Sequence, residues 1–195
     1  MEITTLIIGL ILLLGIHSVS IVSVSWRDTV VARIGQAPWQ AVYSVVAIAG
    51  LTLVVWGYGM ARQSPTILYI PPSWLRDVAV LLMVPVFPLV FAAYLPGRVK
   101  AVMKHPMLVA TKLWAAAHLL ANGSLADVLL FGSLLAWAVA DRVSVKSRSP
   151  RDLPAAPPSR WNDPLAVFVG LSLYAGFLLG VHQWLIGVPA GSPWG

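Results

Sequence analysis

The sequence predicts an all-α, polytopic membrane protein, a bundle of about six transmembrane helices forming a single domain over residues 1–195. Three observations predict this class. Hydrophobic residues make up 58% of the chain and charged residues only 10%, whereas a soluble domain carries roughly 25% charged residues. A chain of 195 residues must still expose much of its surface, so a large core does not explain the deficit. Finally, six apolar stretches approach the roughly 20 residues that a spanning helix needs.

The first three stretches each carry a signal for a helix boundary or a bend. The first holds His17 as its ionisable residue and lacks the basic region and cleavage site of a secretory signal, so we expect a retained span. Pro38 is suited to begin the second. Pro85 and Pro88 are expected to kink the third and to free backbone carbonyls. The six predicted spans are 3–26, 38–61, 74–95, 103–121, 125–143 and 163–188.

The last three spans follow the pair Pro96-Gly97, which ends the third. The fourth contains HPMLVATKLWAAAHLLANG, residues 105–123, an apolar helix-favouring run with two histidines and a lysine. Asn122-Gly123-Ser124 predicts a tight turn into the fifth span. A polar, proline-rich linker over 144–162 separates the fifth span from the sixth.

The basic residues predict the orientation of the chain. Ten lysines and arginines lie in the loops after spans one, three and five, against two in the loop after span two, Arg62 and Arg76. The ten are Arg27, Arg33, Arg98, Lys100, Lys104, Arg142, Lys146, Arg148, Arg151 and Arg160. The positive-inside rule then places the odd-numbered loops in the cytoplasm and both termini outside. The net charge of +6 is therefore explained by membrane orientation, and we expect membrane lipid rather than nucleic acid as a partner.

Six tryptophans fall near the predicted interfaces, as the aromatic belts of membrane proteins do. They are Trp26, Trp39, Trp74, Trp161, Trp184 and Trp194.

All four histidines lie in or at the ends of predicted spans: His17, His105, His118 and His182. Ionisable groups in spanning helices are costly and commonly functional, and neutral imidazole is a natural axial ligand for haem iron. Interhelical hydrogen bonding is the structural alternative, and the residues alone leave both open. The chain has no cysteine, no zinc-type histidine spacing, no GxSxG and no mid-span carboxylate, which disfavours thiolate, zinc, hydrolytic and proton-transport chemistry.

The two histidines of the fourth span are not equivalent. They are thirteen residues apart, which places them on helix faces about 140° apart, so they cannot serve the same cofactor. His118 shares its face with Thr111, Trp114 and Asn122, and His105 shares the other with Lys112. Lys112 is either a counter-ion for a carboxylate, such as a haem propionate, or a lysine whose ammonium snorkels to water.

Four stretches resemble the bacterial NnrU family over nearly the whole chain, 3–188: WRDTVVARIG, YSVVAIAGLTLVVWGYGMAR, KHPMLVATKLWAAAHLLANGSLADVLLFGSLLAWAVADRVSVKSR and GVHQWLIGV. The family takes its name from a gene linked to nitrite and nitric oxide reduction in denitrifying bacteria. It is distantly similar to the plant and cyanobacterial 15-cis-zeta-carotene isomerase, a polytopic membrane enzyme that uses haem b. The resemblance implies a location in the bacterial inner membrane, where the outside termini predicted from the basic residues are periplasmic.

The resemblance further implies that His17 and His118 are the axial ligands of a haem b iron. His105 then has a supporting role, and His182 matches the family without a counterpart in the isomerase. Depth along the helices favours a different pairing, of His17 with His105 and of His118 with His182, so the ligand pair stays open. A cysteine of the isomerase is replaced by Ala115, which removes any thiol ligand switch.

Three functions are compatible with these features. The first is a haem-b protein supporting nitrite and nitric oxide metabolism, by binding nitric oxide or by passing electrons to denitrification proteins. The second is a haem-dependent cis–trans isomerase of a lipid-soluble polyene such as a carotenoid. The third is a non-catalytic factor that helps to assemble a respiratory reductase. The sequence leaves open whether the protein is an enzyme.

Overall fold

Helices form almost all of the described structure, which covers residues 1–148 and 155–191 of a computed structural model. Within those ranges there are ten α-helices and a π-helical segment, Phe177–Val181, and no strand beyond an isolated bridge between Ile67 and Ser124. The helices are α1 Glu2–Val22, α2 Val24–Ile34, α3 Gln36–Ala61, α4 Trp74–Met83, α5 Val86–Tyr94, α6 Arg98–Met103, α7 Pro106–Ala121, α8 Leu125–Ser144, α9 Asn162–Gly176 and α10 His182–Ile186. The predicted all-α class is confirmed. Arg151 and Trp194 lie outside the described residues.

Four helical segments of the described chain are long and apolar enough to cross a membrane: Glu2–Val22, Gln36–Ala61, Trp74–Tyr94 and Asn162–Ile186. They correspond to the first, second, third and sixth predicted spans. The predicted fourth span is α7, which is apolar but has only 16 residues. The predicted fifth is α8, whose 20 residues include Asp127, Asp141 and Arg142. The structure thus supports four spans, and the count of six stays a prediction.

Two predicted loops are helices. The first span ends at Val22 rather than at residue 26, because Ser23 is extended and its Oγ accepts a hydrogen bond from the Trp26 N–H at 3.2 Å, which begins α2. The loop after the third span contains α6. There the backbone N–H groups of Arg98 and Val99 donate to the carboxylate of Asp163, at 2.7 and 3.2 Å. Because that capping carboxylate is distant in sequence, no local pattern predicts α6.

The proline break in the third span is confirmed. Helix α4 ends at Met83 and α5 begins at Val86, with Pro85 at the junction. Proline lacks the amide hydrogen that would continue the helical ladder. The second span differs slightly from expectation, since α3 begins at Gln36, two residues before Pro38. The sixth span contains an unpredicted π-helical segment in which Gly180 has a φ of +156°.

The described chain divides into two compact units, and the first contains α1, α2, α3 and α8. Helices α1 and α3 run antiparallel and very close together, because glycines replace side chains at their contact. A Cβ added to Gly50 would lie 2.6 Å from the backbone nitrogen of Leu13, and one added to Gly9 would lie 2.6 Å from that of Val54. Such small-residue contacts let membrane helices approach at backbone distance.

The second unit contains α4 to α7, α9, the π-helical segment and α10. Its buried core is formed by Val86, Leu89 and Ala110, so α5 packs against α7. Helix α9 meets α5 where Gly170 lies against the backbone of Pro88. The start of α9 is tied to the end of α5 by Asn162, whose amide donates to the Pro96 carbonyl at 2.8 Å.

Candidate functional site

Two of the four histidines have the same local geometry. The Nδ1 atom of His17 lies 2.7 Å from the Leu13 carbonyl oxygen, and that of His118 lies 2.8 Å from the Trp114 carbonyl oxygen, each four residues earlier on its own helix. A carbonyl can only accept, so Nδ1 carries the proton, and in the neutral ring Nε2 carries the lone pair. Metal-binding histidines use this arrangement, because the Nδ1 hydrogen bond fixes the tautomer and the ring orientation.

His17 lies among aromatic side chains in the first unit. Its ring centroid is 5.1 Å from that of Tyr43 on α3 and 6.0 Å from that of Trp137 on α8, and the Trp137 contact is edge-on at 88°. The aromatic cluster continues through Trp39, 6.5 Å from Tyr43. Trp39 is only 8% exposed, so it packs inside this unit and is not the interface anchor that the sequence predicted. His17 itself is half-buried.

His118 occupies the last turn of α7 in the second unit. The Trp114 ring lies 4.9 Å from the His118 ring, and the Asn122 side-chain amide donates to the His118 carbonyl at 2.9 Å. The Tyr69 hydroxyl donates to the Leu119 carbonyl and to the Asn122 carbonyl, the latter at 2.7 Å. The end of α7 is therefore held by side chains, and His118, Trp114 and Asn122 share one face as their spacing predicted.

The other two histidines lie in different local settings. His105 is the residue before α7, outside the helix, with Pro106 at the first helical position. It is therefore about 20 Å from His118 along the helix, at 1.5 Å per residue. His182 is the first residue of α10. Its Nδ1 atom lies 2.6 Å from the Val188 carbonyl oxygen, so the side chain connects the helix to the turn that follows it. Lys112 is half-buried on α7, and no ion pair to it occurs among the described residues.

The structure brings some predicted site residues together and separates others. His118, Trp114 and Asn122 meet in the second unit, which also contains His105 and His182, whereas His17 belongs to the first. No cluster of three or more histidine or acidic side chains that could hold a metal ion occurs in the described ranges. The sequence interpretation missed Tyr43, Trp137 and Tyr69, because each contacts its histidine or helix end from a distant part of the chain.

These elements define a class: an all-α protein with helices of membrane-spanning length, in which two helices orient an imidazole through a backbone carbonyl. The chain belongs to the NnrU protein family, whose model matches residues 5–190. The resemblance drawn from its motifs is thereby confirmed for the family. No curated protein and no solved structure matches the chain.

Proposed function

We propose that the chain is a haem-b-binding integral membrane protein of the bacterial inner membrane that supports nitrite and nitric oxide metabolism. The observation that carries this proposal is the matched geometry of His17 and His118. In each, Nδ1 donates to a carbonyl four residues back, so that Nε2 is the ligating nitrogen. An imidazole of this kind would suit a ligand of haem iron.

The surroundings of both rings fit a flat, largely apolar cofactor. Tyr43 and Trp137 stand beside His17, and Trp114 stands beside His118, so both imidazoles have aromatic neighbours. Aromatic rings stack favourably on one another and on extended π systems. The donor set contains no thiolate, since the chain lacks cysteine. Imidazole nitrogen and aromatic surface together match haem better than they match a hard cation such as Mg²⁺ or Ca²⁺.

In this proposal the protein's own groups orient the two ligands. The Leu13 and Trp114 carbonyls accept from Nδ1 and so make each Nε2 a better electron donor to iron. Asn122 and Tyr69 hold the last turn of α7, and with it His118, in place. A bound haem would supply one-electron exchange, or would bind a small gas such as nitric oxide in place of one imidazole.

The test is the optical spectrum of the purified protein, oxidised and then reduced with dithionite, after expression with a haem precursor. The wild type is expected to show a Soret band. The variants His17→Ala and His118→Ala are expected to lose most of it, because each removes a ligating Nε2. His182→Ala tests the alternative partner of His118 and is expected to keep the band. Circular dichroism and gel filtration confirm that each variant is folded.

Several results would contradict the proposal. Wild-type protein without a Soret band after haem supplementation would argue against haem binding and favour a role in assembling a respiratory reductase. A band unchanged in both His17→Ala and His118→Ala would remove these residues as ligands. Loss of the band in His182→Ala, with retention in His17→Ala, would support the pairing of His118 with His182.

A second candidate function is haem-dependent cis–trans isomerisation of a lipid-soluble polyene. The proline junction between α4 and α5 favours it, because a proline in a spanning helix frees backbone carbonyls that a neighbouring helix or a cavity must accommodate. Cells that express the protein and receive a cis-polyene should then accumulate the trans isomer, measured by chromatography. An unchanged isomer ratio, at equal expression and haem content, would eliminate this candidate.

A further inference from the structure

Two hydrogen-bond donors in the first unit are buried without an acceptor. Among the described residues, neither the Trp137 Nε1 atom nor the Arg148 Nε atom has a hydrogen-bond partner. Both are donors only. Buried polar atoms are nearly always paired in native proteins, so each exception needs an explanation, such as an unseen ligand or ion. A single acceptor group that reached both atoms would account for the two exceptions.

One of the two donors lies against His17, and the other reaches the same face of α8. The Trp137 ring meets the His17 ring edge-on, with centroids 6.0 Å apart. Trp137 and Asp141 are four residues apart on α8 and therefore share a face. The Arg148 Nη2 atom donates to Asp141 Oδ1, so the arginine folds back onto that face, where its side chain is only 16% exposed. The indole of Trp137 and the guanidinium of Arg148 are thus on the same face of α8.

The depths of these groups agree with one another. His17 lies five residues before the end of α1, and Trp137 lies seven residues before the end of α8. These distances are about 8 and 10 Å at 1.5 Å per residue. His17 and Trp137 therefore lie at similar distances from the ends of their helices, and Arg148 follows the end of α8.

The charge around the two donors suits an anion. Arg142, Lys146 and Arg148 follow Trp137 within eleven residues, against the single carboxylate of Asp141. Arg148 already neutralises Asp141 through Nη2 and keeps Nε for a second acceptor. A carboxylate accepts from an indole N–H and a guanidinium N–H at once, and bonds from a guanidinium to a carboxylate are among the stronger ones in proteins.

We propose that the Trp137 Nε1 and Arg148 Nε atoms bind a propionate carboxylate of the haem that His17 ligates. This inference rests on the proposed function. It assigns to α8 the cofactor-anchoring role that the sequence interpretation considered for Lys112 on α7. It also explains why a tryptophan, rather than another apolar residue, stands against His17: the indole packs against the imidazole and donates a hydrogen bond as well.

The test measures how fast haem leaves the protein for an excess of a haem-scavenging apoprotein, with no activity assay. Trp137→Phe keeps an aromatic ring beside His17 but removes the N–H. Arg148→Lys keeps a cation for Asp141 but removes Nε. Each variant should lose haem about tenfold faster than the wild type, as expected when a hydrogen bond to a charged group is removed. Trp56→Phe, at a side chain that is 61% exposed on α3, is the matched control and should not change the rate.

Loading with haem dimethyl ester, whose propionates are methylated, separates anchoring from packing. The ester should leave the wild type faster than haem does, and Trp137→Phe and Arg148→Lys should change its rate by less than about twofold, since the carboxylate they bind is gone. Equal acceleration with haem and with the ester would overturn the inference in favour of a structural role. Wild-type loss rates in both variants, in protein that carries haem, would overturn it while leaving the proposed function intact. A wild type without haem would overturn the proposed function itself.

Discussion

At the scale of single residues, the chain pairs its buried polar groups with partners from distant segments. Asp127 is 3% exposed. Its carboxylate accepts from the Tyr58 hydroxyl at 2.6 Å and from the Ser124 hydroxyl and backbone N–H at 2.6 and 2.9 Å. A buried carboxylate needs such partners, because its loss of hydration is otherwise uncompensated. The Ser124–Asp127 capping box is a local sequence pattern, whereas the contact with Tyr58 joins residues that are 69 positions apart.

Replacing Tyr58 with phenylalanine is expected to destabilise the protein without disturbing its packing. The variant keeps the ring but removes one hydrogen bond to a buried carboxylate, which should cost about 1.5–3 kcal/mol of unfolding free energy. Denaturation in mixed detergent micelles, followed by circular dichroism, measures the change. Tyr94→Phe, at a side chain that is 53% exposed, is the control and should leave stability nearly unchanged. Equal stability of the two variants would show that the Tyr58–Asp127 bond contributes little.

At the scale of elements, helix contacts in the first unit depend on the absence of side chains. Gly9, Gly50 and Gly57 each place their α-carbon against the backbone of the opposing helix, Gly50 against Leu13 and Gly57 against Leu6. Leu6 is fully buried as a result. Close approach increases dispersion contacts between α1 and α3, the main source of helix association where lipid replaces water.

Alanine substitution should therefore have opposite effects at two glycines of α3. A Cβ at Gly50 would lie 2.6 Å from the Leu13 nitrogen, so Gly50→Ala must push α1 away and should cost about 1–3 kcal/mol. A Cβ at Gly59 meets nothing within 4 Å, so Gly59→Ala should be neutral or stabilising by up to about 1 kcal/mol, since alanine favours helix over glycine. The same micelle denaturation measures both. Stabilisation by Gly50→Ala would refute the close contact of α1 and α3.

At the scale of the whole molecule, the number of membrane crossings depends on whether α7 and α8 also span the bilayer. Four segments have the length and apolarity to do so. Helix α7 spans about 24 Å and α8 about 30 Å at 1.5 Å per residue, against a hydrocarbon core of about 30 Å. The distribution of lysines and arginines predicts that each crosses once, connected by the turn at Asn122 to Ser124, with both termini outside.

Reporter fusions distinguish six crossings from four. Alkaline phosphatase, which is active only in the periplasm, should be active when fused after Gly123 and inactive when fused after Ser147, because α8 returns the chain to the cytoplasm. A green fluorescent protein fusion at each site should give the reverse result. Inactive phosphatase after Gly123, at normal expression, would leave only four crossings.

The features that could be predicted from the sequence are those that depend on residues close together in the chain. The apolar helices, the break at Pro85 and the shared face of His118, Trp114 and Asn122 follow from composition and the 3.6-residue period, and the structure confirms them. Helix α6 could not be predicted in this way, since the carboxylate that caps it belongs to the distant Asp163. Nor could the buried position of Trp39, which depends on neighbours from other elements.

The sequence by itself determined the family and the membrane character, because hydropathy and motifs are properties of consecutive residues, and it supplied the histidines that we propose as cofactor ligands. Only the tertiary structure decided what surrounds His17. Its neighbours Tyr43 and Trp137 lie on other helices, 26 and 120 residues after His17 in the sequence. The unpaired donors of Trp137 and Arg148 are likewise visible only there. Whether a buried donor has an acceptor depends on which residues lie next to it in space, and helix packing determines those neighbours.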